Sequence, residues 1–444
     1  DPNGLSYFKG YYHVYFQYSP ESALGKGPKC WGHWQSKDML SWEFTGTVLY
    51  PDIPEDRNGV YSGCGLVQGD TLYLYYTGNV KEKGDYDYIT AGRGSNVILV
   101  TTRDGHHMSP KQVLLRNSDY PSDCSCHVRD PKVWKEGSVY KMALGARKLD
   151  DTGCVLFYTS ENLTSWRFEQ EVSVPDFGYM WECPDVLYLN GRHYLSVSPQ
   201  GVEHTEYTHQ NVYSSGYFVN DKEFEEWDYG FDFYAPQVFQ HEGRQILLGW
   251  MGMPDKDAEY PTRDKGWMYS LTMPRVLTLR QGHIFSQPAR ELRALRVENT
   301  AVDIDAEQVT TMAQPLGEGN EILLDIHLGE AQNVEGALHY GLEKLLFHYD
   351  RQTQIMTIDR DGMKLGGRGQ RRFKLYVDKV LYLQMFVDKT AIEAFFQHGE
   401  EVATLFVFPQ KHILPELNVS ADKALENVSG RIWELNGIRF HVHQ

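Results

Sequence analysis

The 444-residue sequence is poor in cysteine, in long apolar runs and in excess positive charge. Its six cysteines show neither the spacing of a compact disulfide framework nor paired Cys-x-x-Cys motifs for zinc, and reduced thiols fit better than disulfides. No run approaches the roughly eighteen apolar residues of a transmembrane helix, so no membrane partner is expected. The formal net charge of −17 argues against nucleic acid as a partner, although a small neutral substrate remains compatible with it.

Aromatic residues and short apolar runs are abundant, and both favour β-strands. One pattern occurs five times: a short run, a turn that ends in glycine, and then an aromatic or aliphatic run. The turn glycines are Gly10, Gly69, Gly137, Gly191 and Gly243. An all-β repeat of roughly 50–70 residues is typical of propeller blades. Residues 1–286 are therefore predicted to form a five-bladed β-propeller, with a pair of β-sandwiches as the main alternative.

A second, shorter repeat supports the same division. The segment Ser36–Trp42 resembles the segment Ser160–Trp166, with serine first, tryptophan last and an apolar residue in the middle of each. The two segments lie about two blade lengths apart, as equivalent turns in two blades would.

The repeat stops near residue 286, and the chain after it has a different pattern. Residues 287–299 are predicted to be a linker that contains a short helix with Pro288 near its start. Alternating strands separated by turn signals follow, which is typical of a β-sandwich. The predicted fold is thus all-β, a propeller over 1–286 followed by a C-terminal β-sandwich over 300–444.

Three carboxylates each lie just ahead of a β-rich run: Asp1, Asp130 and Glu182. The string Asp1-Pro2-Asn3-Gly4 taken alone is typical of a turn. In a propeller, however, equivalent positions are related by rotation about the channel, so these carboxylates are predicted to meet at one channel mouth. Carboxylates buried together favour retention of a proton on one of them, and glycoside hydrolysis uses one ionised and one protonated carboxyl group.

The motifs around these residues resemble glycoside hydrolase family 32, the β-fructosidases, which include invertases and sucrose-6-phosphate hydrolases. Asp1–Gly4 resembles the nucleophile motif, Arg129-Asp130-Pro131 the transition-state stabiliser motif, and Glu182-Cys183-Pro184 the acid/base motif. The further matches, in chain order, are Phe16-Gln17-Tyr18, Trp31-Gly32-His33, Tyr61-Ser62-Gly63, Asp232–Gln237 and Ala391–Pro409. The resemblance covers nearly the whole chain and implies a propeller followed by a sandwich.

The resemblance implies a retaining β-fructofuranosidase that hydrolyses sucrose, sucrose 6-phosphate or short fructo-oligosaccharides. Asp1 would be the nucleophile, Glu182 the general acid/base and Asp130 the transition-state stabiliser, with the two reacting carboxyl groups roughly 5–5.5 Å apart. No metal or organic cofactor is implied. The residues implied in substrate binding are Asn3, Gln17, Trp31, Ser62 and Arg129, and Cys183 would tune Glu182.

Two departures and two alternatives accompany this hypothesis. The aromatic-Met-Asn string that usually precedes the nucleophile is absent, so residues are expected to precede Asp1. The loop 19–30 differs from that of some invertases, and its Lys26 and Lys29 would either meet a sugar phosphate or simply be solvated.

The alternatives are an inverting arabinan- or xylan-degrading propeller enzyme and a non-catalytic sugar-binding propeller. A cytoplasmic location is favoured over secretion, and the oligomeric state is left open.

Overall fold

The computed structural model describes residues 1–220, 222–256, 259–305 and 311–442. These residues fold into five small β-sheets followed by two six-stranded sheets. No α-helix occurs within these ranges, where the helical turns are of the 3-10 type: Pro54–Asp56, Asn117–Asp119, Pro261–Lys265, Arg290–Leu295 and Gln397–Gly399. Nor does any helix in the described chain have the length and apolar character needed to cross a membrane.

The five small sheets are antiparallel blades whose strands follow one another in the chain. Blade 1 has β1 to β4: Pro2–Phe8, Tyr11–Tyr18, Cys30–Ser36 and Ser41–Leu49. Blade 2 has β5 to β8: Val60–Gln68, Thr71–Lys81, Arg93–Thr102 and Gln112–Leu115. Blade 3 has β9 to β12: Cys124–Glu136, Val139–Lys148, Gly153–Ser160 and Arg167–Ser173. Blade 4 has β13 to β16: Met180–Leu189, Arg192–Gln200, Gly216–Phe218 and Phe224–Glu226. Blade 5 has β17 to β21: Tyr234–His241, Arg244–Met251, Ser270–Leu271, Arg275–Arg280 and His283–Pro288.

The first strand of each blade lies innermost. Strand β1 contacts β5, β5 contacts β9, β9 contacts β13, β13 contacts β17, and β17 contacts β1 again. The blades therefore close into a ring, and the predicted five-bladed propeller is confirmed.

The five predicted hairpin glycines all have positive φ, between 59° and 84°. In the β1–β2 turn the preceding Lys9 also has a positive φ of 48°, and Asn190 and Glu242 repeat this before Gly191 and Gly243. Positive φ at both central residues defines the type I′ turn, whose twist matches that of the flanking strands. The repeated glycines thus set the register of the two inner strands in each blade.

The two copies of the shorter repeat form the same turn, between the third and fourth strands of blades 1 and 3. In each, the serine hydroxyl accepts a hydrogen bond from the backbone N–H three residues on, at 2.9 Å in 36–42 and 3.0 Å in 160–166. The tryptophan indole donates to the carbonyl of that same central residue. The central residues, Met39 and Leu163, are both left-handed, with φ of 61° and 70°.

The C-terminal domain packs two six-stranded sheets around one large apolar core. In spatial order one sheet contains β22, β33, β24, β29, β30 and β31, which are Arg296–Asp305, Asn427–Leu435, Asn320–His327, Val380–Val387, Ala391–Phe396 and Glu401–Phe406. The other contains β23, β32, β25, β26, β27 and β28, which are Thr311–Pro315, Glu416–Ala421, Asn333–Tyr340, Glu343–Asp350, Ile355–Asp359 and Gln370–Lys374. The predicted β-sandwich is confirmed.

The connection between the domains is the 3-10 helix Arg290–Leu295, where a short helix was predicted. The last described strand, β34 (Arg439–Val442), leaves the sandwich and pairs in parallel with β4 of blade 1. The ranges 1–286, 287–299 and 300–444 remain our proposed division, with β34 as a return of the chain to the propeller.

A buried ion-pair cluster joins the two domains. Arg275 of blade 5 donates to Glu393 of the sandwich at 2.6 Å and to Asp228, from the segment between blades 4 and 5, at 3.0 Å. The guanidinium also lies over the rings of Phe233 and Phe395. Because Arg275 has no exposed surface, both carboxylates depend on it for their compensating charge.

Candidate active site

The innermost strands carry a β-bulge at equivalent positions, and these bulges direct the functional side chains. Left-handed residues lie in four of them: Gly4, Asp130, Cys183 and Ala235, with φ of 54°, 63°, 46° and 46°. The pairing register shifts at the same point of each blade, as between Asn3 and Ser6 in β1 or Glu182 and Asp185 in β13. A bulge turns a side chain that would otherwise alternate along the strand. The motifs therefore project from one level of the ring.

Asp1 lies directly before β1 and is held by neighbours on two strands. Its Oδ2 accepts a hydrogen bond from the Ser62 hydroxyl of β5 at 3.0 Å. Its backbone carbonyl accepts from the Gln17 N–H of β2 at 3.0 Å. Asp1 is only half-buried, so part of the residue remains accessible.

Glu182 has the most complete set of hydrogen bonds in the site. Arg129 donates to its Oε1 from Nε at 3.0 Å and from Nη2 at 2.6 Å. Oε2 accepts from the Tyr234 hydroxyl at 2.6 Å and from Gln200 Nε2 at 2.8 Å. These donors come from β9, β14 and β17, so three blades fix the orientation of one carboxyl group.

Asp130 is buried beside Glu182, and the bulge of β13 holds it. Its Oδ2 accepts from the backbone N–H of Cys183 at 2.9 Å and lies 3.6 Å from the Cys183 thiol. Its own N–H donates to Thr77 at 2.8 Å. Burial is the main cause that raises the pKa of Asp130 to about 6; Glu182 raises it further, and Arg129 opposes the shift. The charge of Arg129 thus acts on Asp130 as well as on Glu182, with which it forms an ion pair.

The guanidinium of Arg129 also contacts the partly buried imidazole of His127. Arg129 Nη1 lies 2.9 Å from His127 Nδ1. Burial first, and then the charges of Arg129 and Arg93, lower the pKa of His127 to about 3. The imidazole is therefore neutral at physiological pH and accepts a hydrogen bond from Arg129 at Nδ1.

Two of the predicted substrate contacts differ in the structure. Trp31 has no exposed surface, and its indole donates to the Tyr61 carbonyl at 3.1 Å. Asn3 is equally buried, and its Oδ1 accepts from the Gly63 N–H at 3.0 Å. Both side chains join blades 1 and 2 and are not available to a sugar. The presence of a tryptophan or an asparagine in a motif does not show on which face of the strand its side chain lies.

Three further predicted residues lie in or next to the site. Ser62 contacts Asp1, as described, and Arg129 contacts Glu182. Gln17 is partly buried, with Nε2 donating to the carbonyls of Val60 at 2.7 Å and Cys30 at 3.2 Å. Cys183, predicted to tune Glu182, directs its N–H and thiol to Asp130 instead, because the bulge points them toward β9.

The sequence prediction missed contacts that come from outside the motifs. Gln200, at the end of β14, follows no recognisable pattern and reaches Glu182 only through the antiparallel pairing of β13 and β14. Tyr234 lies within the matched motif Asp232–Gln237, to which no separate role was assigned, and its hydroxyl donates to Glu182. Within the described ranges, no group of three histidine, cysteine, aspartate or glutamate side chains is arranged to hold a metal ion. The six cysteines are unpaired thiols.

A propeller that gathers paired carboxylates and their donors at one end of its inner strands, beside a β-sandwich, has the site of a glycoside hydrolase. Comparison with known proteins supports this class. Residues 1–288 match the model of the glycosyl hydrolases family 32 N-terminal domain, and residues 291–434 match that of the family 32 C-terminal domain. The chain belongs to glycoside hydrolase family 32.

Individual relatives are similar over almost their full length. The sucrose-6-phosphate hydrolase of Bacillus subtilis is 38% identical over 463 residues, covering 98% of this chain and 91% of the relative. The raffinose invertase of Escherichia coli is 34% identical, covering 92% and 87%. A variant β-fructofuranosidase of Bombyx mori, solved in complex with sucrose, superimposes with a TM-score of 0.83 at 28% identity, covering 100% and 92%.

Proposed function

We propose that the protein is a retaining β-fructofuranosidase that hydrolyses the fructosyl bond of sucrose or a closely related substrate through a fructosyl-enzyme. The observation that supports the proposal is the difference in burial and hydrogen bonding between the carboxylates of Asp1 and Glu182. Asp1 is only half-buried, and its carboxylate accepts one side-chain hydrogen bond among the described residues, which suits a nucleophile, whereas Glu182 is oriented by Arg129, Tyr234 and Gln200. The names of the relatives, which include sucrose-6-phosphate hydrolases and invertases, support the substrate class.

The proposed reaction has two displacements. In the first, a carboxylate oxygen of Asp1 bonds to the anomeric carbon of the fructosyl unit while the bond to the glucosyl oxygen breaks and Glu182 protonates that oxygen. In the second, Glu182 accepts a proton from water as the water oxygen attacks the same carbon and releases Asp1. Asp130 accepts hydrogen bonds from fructose hydroxyls and stabilises the positive charge that develops on the ring.

Two alternative functions have less support. Membership of family 32 leaves the inverting arabinan- or xylan-degrading enzyme without a supporting observation. A non-catalytic sugar-binding propeller would not require Glu182 to be held by donors from three blades. We also propose a cytoplasmic location, which the unpaired thiols support because disulfides are typical of oxidising compartments.

The stereochemistry of the first product tests the proposal. Proton NMR during sucrose hydrolysis is expected to show β-fructofuranose first, before mutarotation mixes the anomers, because two inversions give net retention. Initial release of the α-anomer would contradict the double displacement. Lack of hydrolysis of sucrose, sucrose 6-phosphate, kestose and inulin alike would contradict the proposed function altogether.

Replacement of the acid/base is expected to separate its two roles. The Glu182→Gln protein should hydrolyse sucrose about 10²–10⁴-fold more slowly, because the amide cannot protonate the leaving oxygen. A fructoside with an acidic leaving group should lose much less in the first step, and added azide should then restore turnover and yield fructosyl azide. The exposed Glu203→Gln variant is the matched control, and a Glu182→Gln protein with unchanged sucrose hydrolysis would refute the assignment.

The pH dependence of kcat/KM should reflect Asp130. The carboxylate form is the one that stabilises positive charge, so kcat/KM is expected to fall as the pH drops through about 6, the pKa of this group. The Cys183 thiol favours the ionised form, so the Cys183→Ala protein should have a higher Asp130 pKa, and its acid limb should move to higher pH. The buried Cys154→Ala variant should leave the limb in place. An acid limb of kcat/KM that is unchanged or moves to lower pH in the Cys183→Ala protein would contradict the assignment of this limb to Asp130.

A further inference from the structure

Residues 201–215, the β14–β15 loop, connect two strands of blade 4 and lie beside both donors to Glu182 Oε2. The loop begins directly after Gln200, whose Nε2 donates to this oxygen at 2.8 Å. It ends with Ser215, whose hydroxyl accepts a hydrogen bond at 3.1 Å from the backbone N–H that follows Tyr234. Tyr234 is the other donor to Oε2, at 2.6 Å. One loop therefore lies between the two groups that orient the same carboxylate oxygen.

The two ends of the β14–β15 loop are held together. Gln200 and Tyr213 form an isolated β-bridge. The hydroxyl groups of Ser198 and Ser215 lie 2.8 Å apart and hydrogen-bond to each other. Both serines are buried, so water has little access to this contact. A displacement of the outer part of the loop is therefore transmitted to both of its ends, and thus to both donors to Glu182.

The outer part of the loop contacts the β-sandwich. Strand β28 is an edge strand, so the backbone groups on its outer side have no neighbouring strand in the part of the chain that the structure describes. The Gln210 side chain takes the place of that strand. Its Oε1 accepts from the Arg372 N–H at 2.9 Å, and its Nε2 donates to the Arg372 carbonyl at 2.6 Å. An amide that pairs with both backbone groups of one residue fixes the distance between the loop and the sheet edge.

Arg371, also in β28, makes a second contact with the loop. Its Nε and Nη2 donate to the Asn211 side-chain oxygen at 2.8 and 2.6 Å. Asn211 is buried, and its own Nδ2 donates to the Gly230 carbonyl at 2.8 Å. The guanidinium carbon of Arg371 also lies 4.2 Å from the centre of the Phe231 ring. Because a charged donor makes stronger hydrogen bonds than a neutral one, this contact restricts the position of the loop.

The loop thus connects the sandwich to the general acid/base of the proposed function, on which this inference rests. Glu182 has to direct an oxygen first to the leaving group and then to water, and both steps depend on its orientation. We propose that Arg371 is a positioning residue for Glu182, because it holds the β14–β15 loop and thereby the two donors to Oε2. The contact of Gln210 with β28 serves the same purpose. The sandwich thereby influences proton transfer in the propeller.

The test compares sucrose with 4-nitrophenyl β-fructofuranoside, whose leaving group departs without protonation. Four proteins are measured: the unaltered protein, Arg371→Gln, Arg371→Lys and the exposed control Arg368→Gln. Arg371→Gln should lose about 10–100-fold in kcat/KM on sucrose but less than about threefold on the nitrophenyl fructoside, because small errors in the placement of a reacting group are costly. Arg371→Lys should recover part of the loss, because its ammonium group can still donate to Asn211. Arg368→Gln should change neither value.

The ratio of the two kcat/KM values, sucrose over nitrophenyl fructoside, does not depend on the fraction of folded enzyme. A purely structural role of Arg371 would lower both values equally and leave the ratio unchanged, and that result would overturn the inference. Gln210→Ala removes the other contact with β28 and should lower the ratio about 3–10-fold. If Arg371→Gln does not fold, an unchanged ratio in Gln210→Ala overturns the inference instead.

The Glu182→Gln protein separates this inference from the proposed function. Its ratio should fall further than that of Arg371→Gln, because the acid itself is removed. An unchanged ratio in Glu182→Gln would overturn the acid/base assignment and the inference with it. A lower ratio in Glu182→Gln together with an unchanged ratio in Arg371→Gln would overturn the inference alone.

Discussion

The Asp1→Asn protein is expected to lose sucrose hydrolysis by a factor of about 10⁴–10⁶, the range seen when a covalent nucleophile is removed from an enzyme. The amide cannot form the fructosyl ester, and no other carboxylate at the open face of the site replaces it. Glu182 is held by donors on both of its oxygens, and Asp130 is buried against Cys183. The loss should appear in kcat and in kcat/KM alike, because the missing bond is made during the reaction and not on substrate binding.

The neighbouring Ser62→Ala variant is a suitable comparison for Asp1→Asn. It removes only the 3.0 Å hydrogen bond to the Asp1 carboxylate, so a loss of about 10-fold, near 1–1.5 kcal/mol, is expected. Both proteins should unfold at the temperature of the unaltered protein within a few degrees. Rapid quenching followed by intact-mass measurement should detect a fructosyl adduct on the Ser62→Ala protein and none on Asp1→Asn. An adduct on Asp1→Asn, or activity within tenfold of the unaltered protein, would exclude Asp1 as the nucleophile.

Replacing Arg275 by methionine is expected to destabilise the protein by about 3–5 kcal/mol, since it leaves Glu393 and Asp228 buried without a compensating cation. Arg275 and Asp228 have no exposed side-chain surface and Glu393 is almost fully buried, so water does not readily take the place of the guanidinium. The loss should appear as a lower urea midpoint measured by tryptophan fluorescence.

Arg280, at the other end of β20, provides the matched control for Arg275. It is exposed and stacks on Phe285, so Arg280→Met should change the stability by no more than about 0.5 kcal/mol. An Arg275→Met protein as stable as Arg280→Met would show that the two buried carboxylates are protonated or solvated without the arginine. A double variant that also replaces Glu393 by glutamine should recover part of the loss, because one uncompensated charge is removed.

The fold could be predicted from the sequence because its signals are local and repeated. Gly10 and Gly191 mark hairpins whose φ values only glycine adopts freely. A second local signal, a turn held by a serine hydroxyl, occurs in both 36–42 and 160–166. The glycine hairpin occurs five times in the sequence, once in each blade, so the number of blades can be counted from it. The closing contact between β17 and β1 follows from that count, since a ring of blades must end beside its beginning.

The site was only partly predictable, because side-chain direction depends on the bulges. The motifs identify Asp130 and Glu182, but the left-handed residues in β9 and β13 decide that Cys183 faces Asp130. Trp31 was expected at the sugar and is buried between blades, because one residue of register separates the two faces of a strand. Gln200 belongs to no motif, and its contact with Glu182 follows only from the pairing of β13 with β14.

Strand β34 has a consequence for the order in which the protein can fold during synthesis. Ser41 of β4 and His441 of β34 hydrogen-bond to each other and are 400 positions apart in the chain. At about 5–20 residues per second, a ribosome needs about 20–80 s to make the intervening chain. Throughout that time the outer edge of blade 1 lacks its parallel partner and exposes unpaired backbone groups. The first blade to be synthesised is thus the last to be completed, and its open edge is where a nascent chain is most exposed to association with its neighbours.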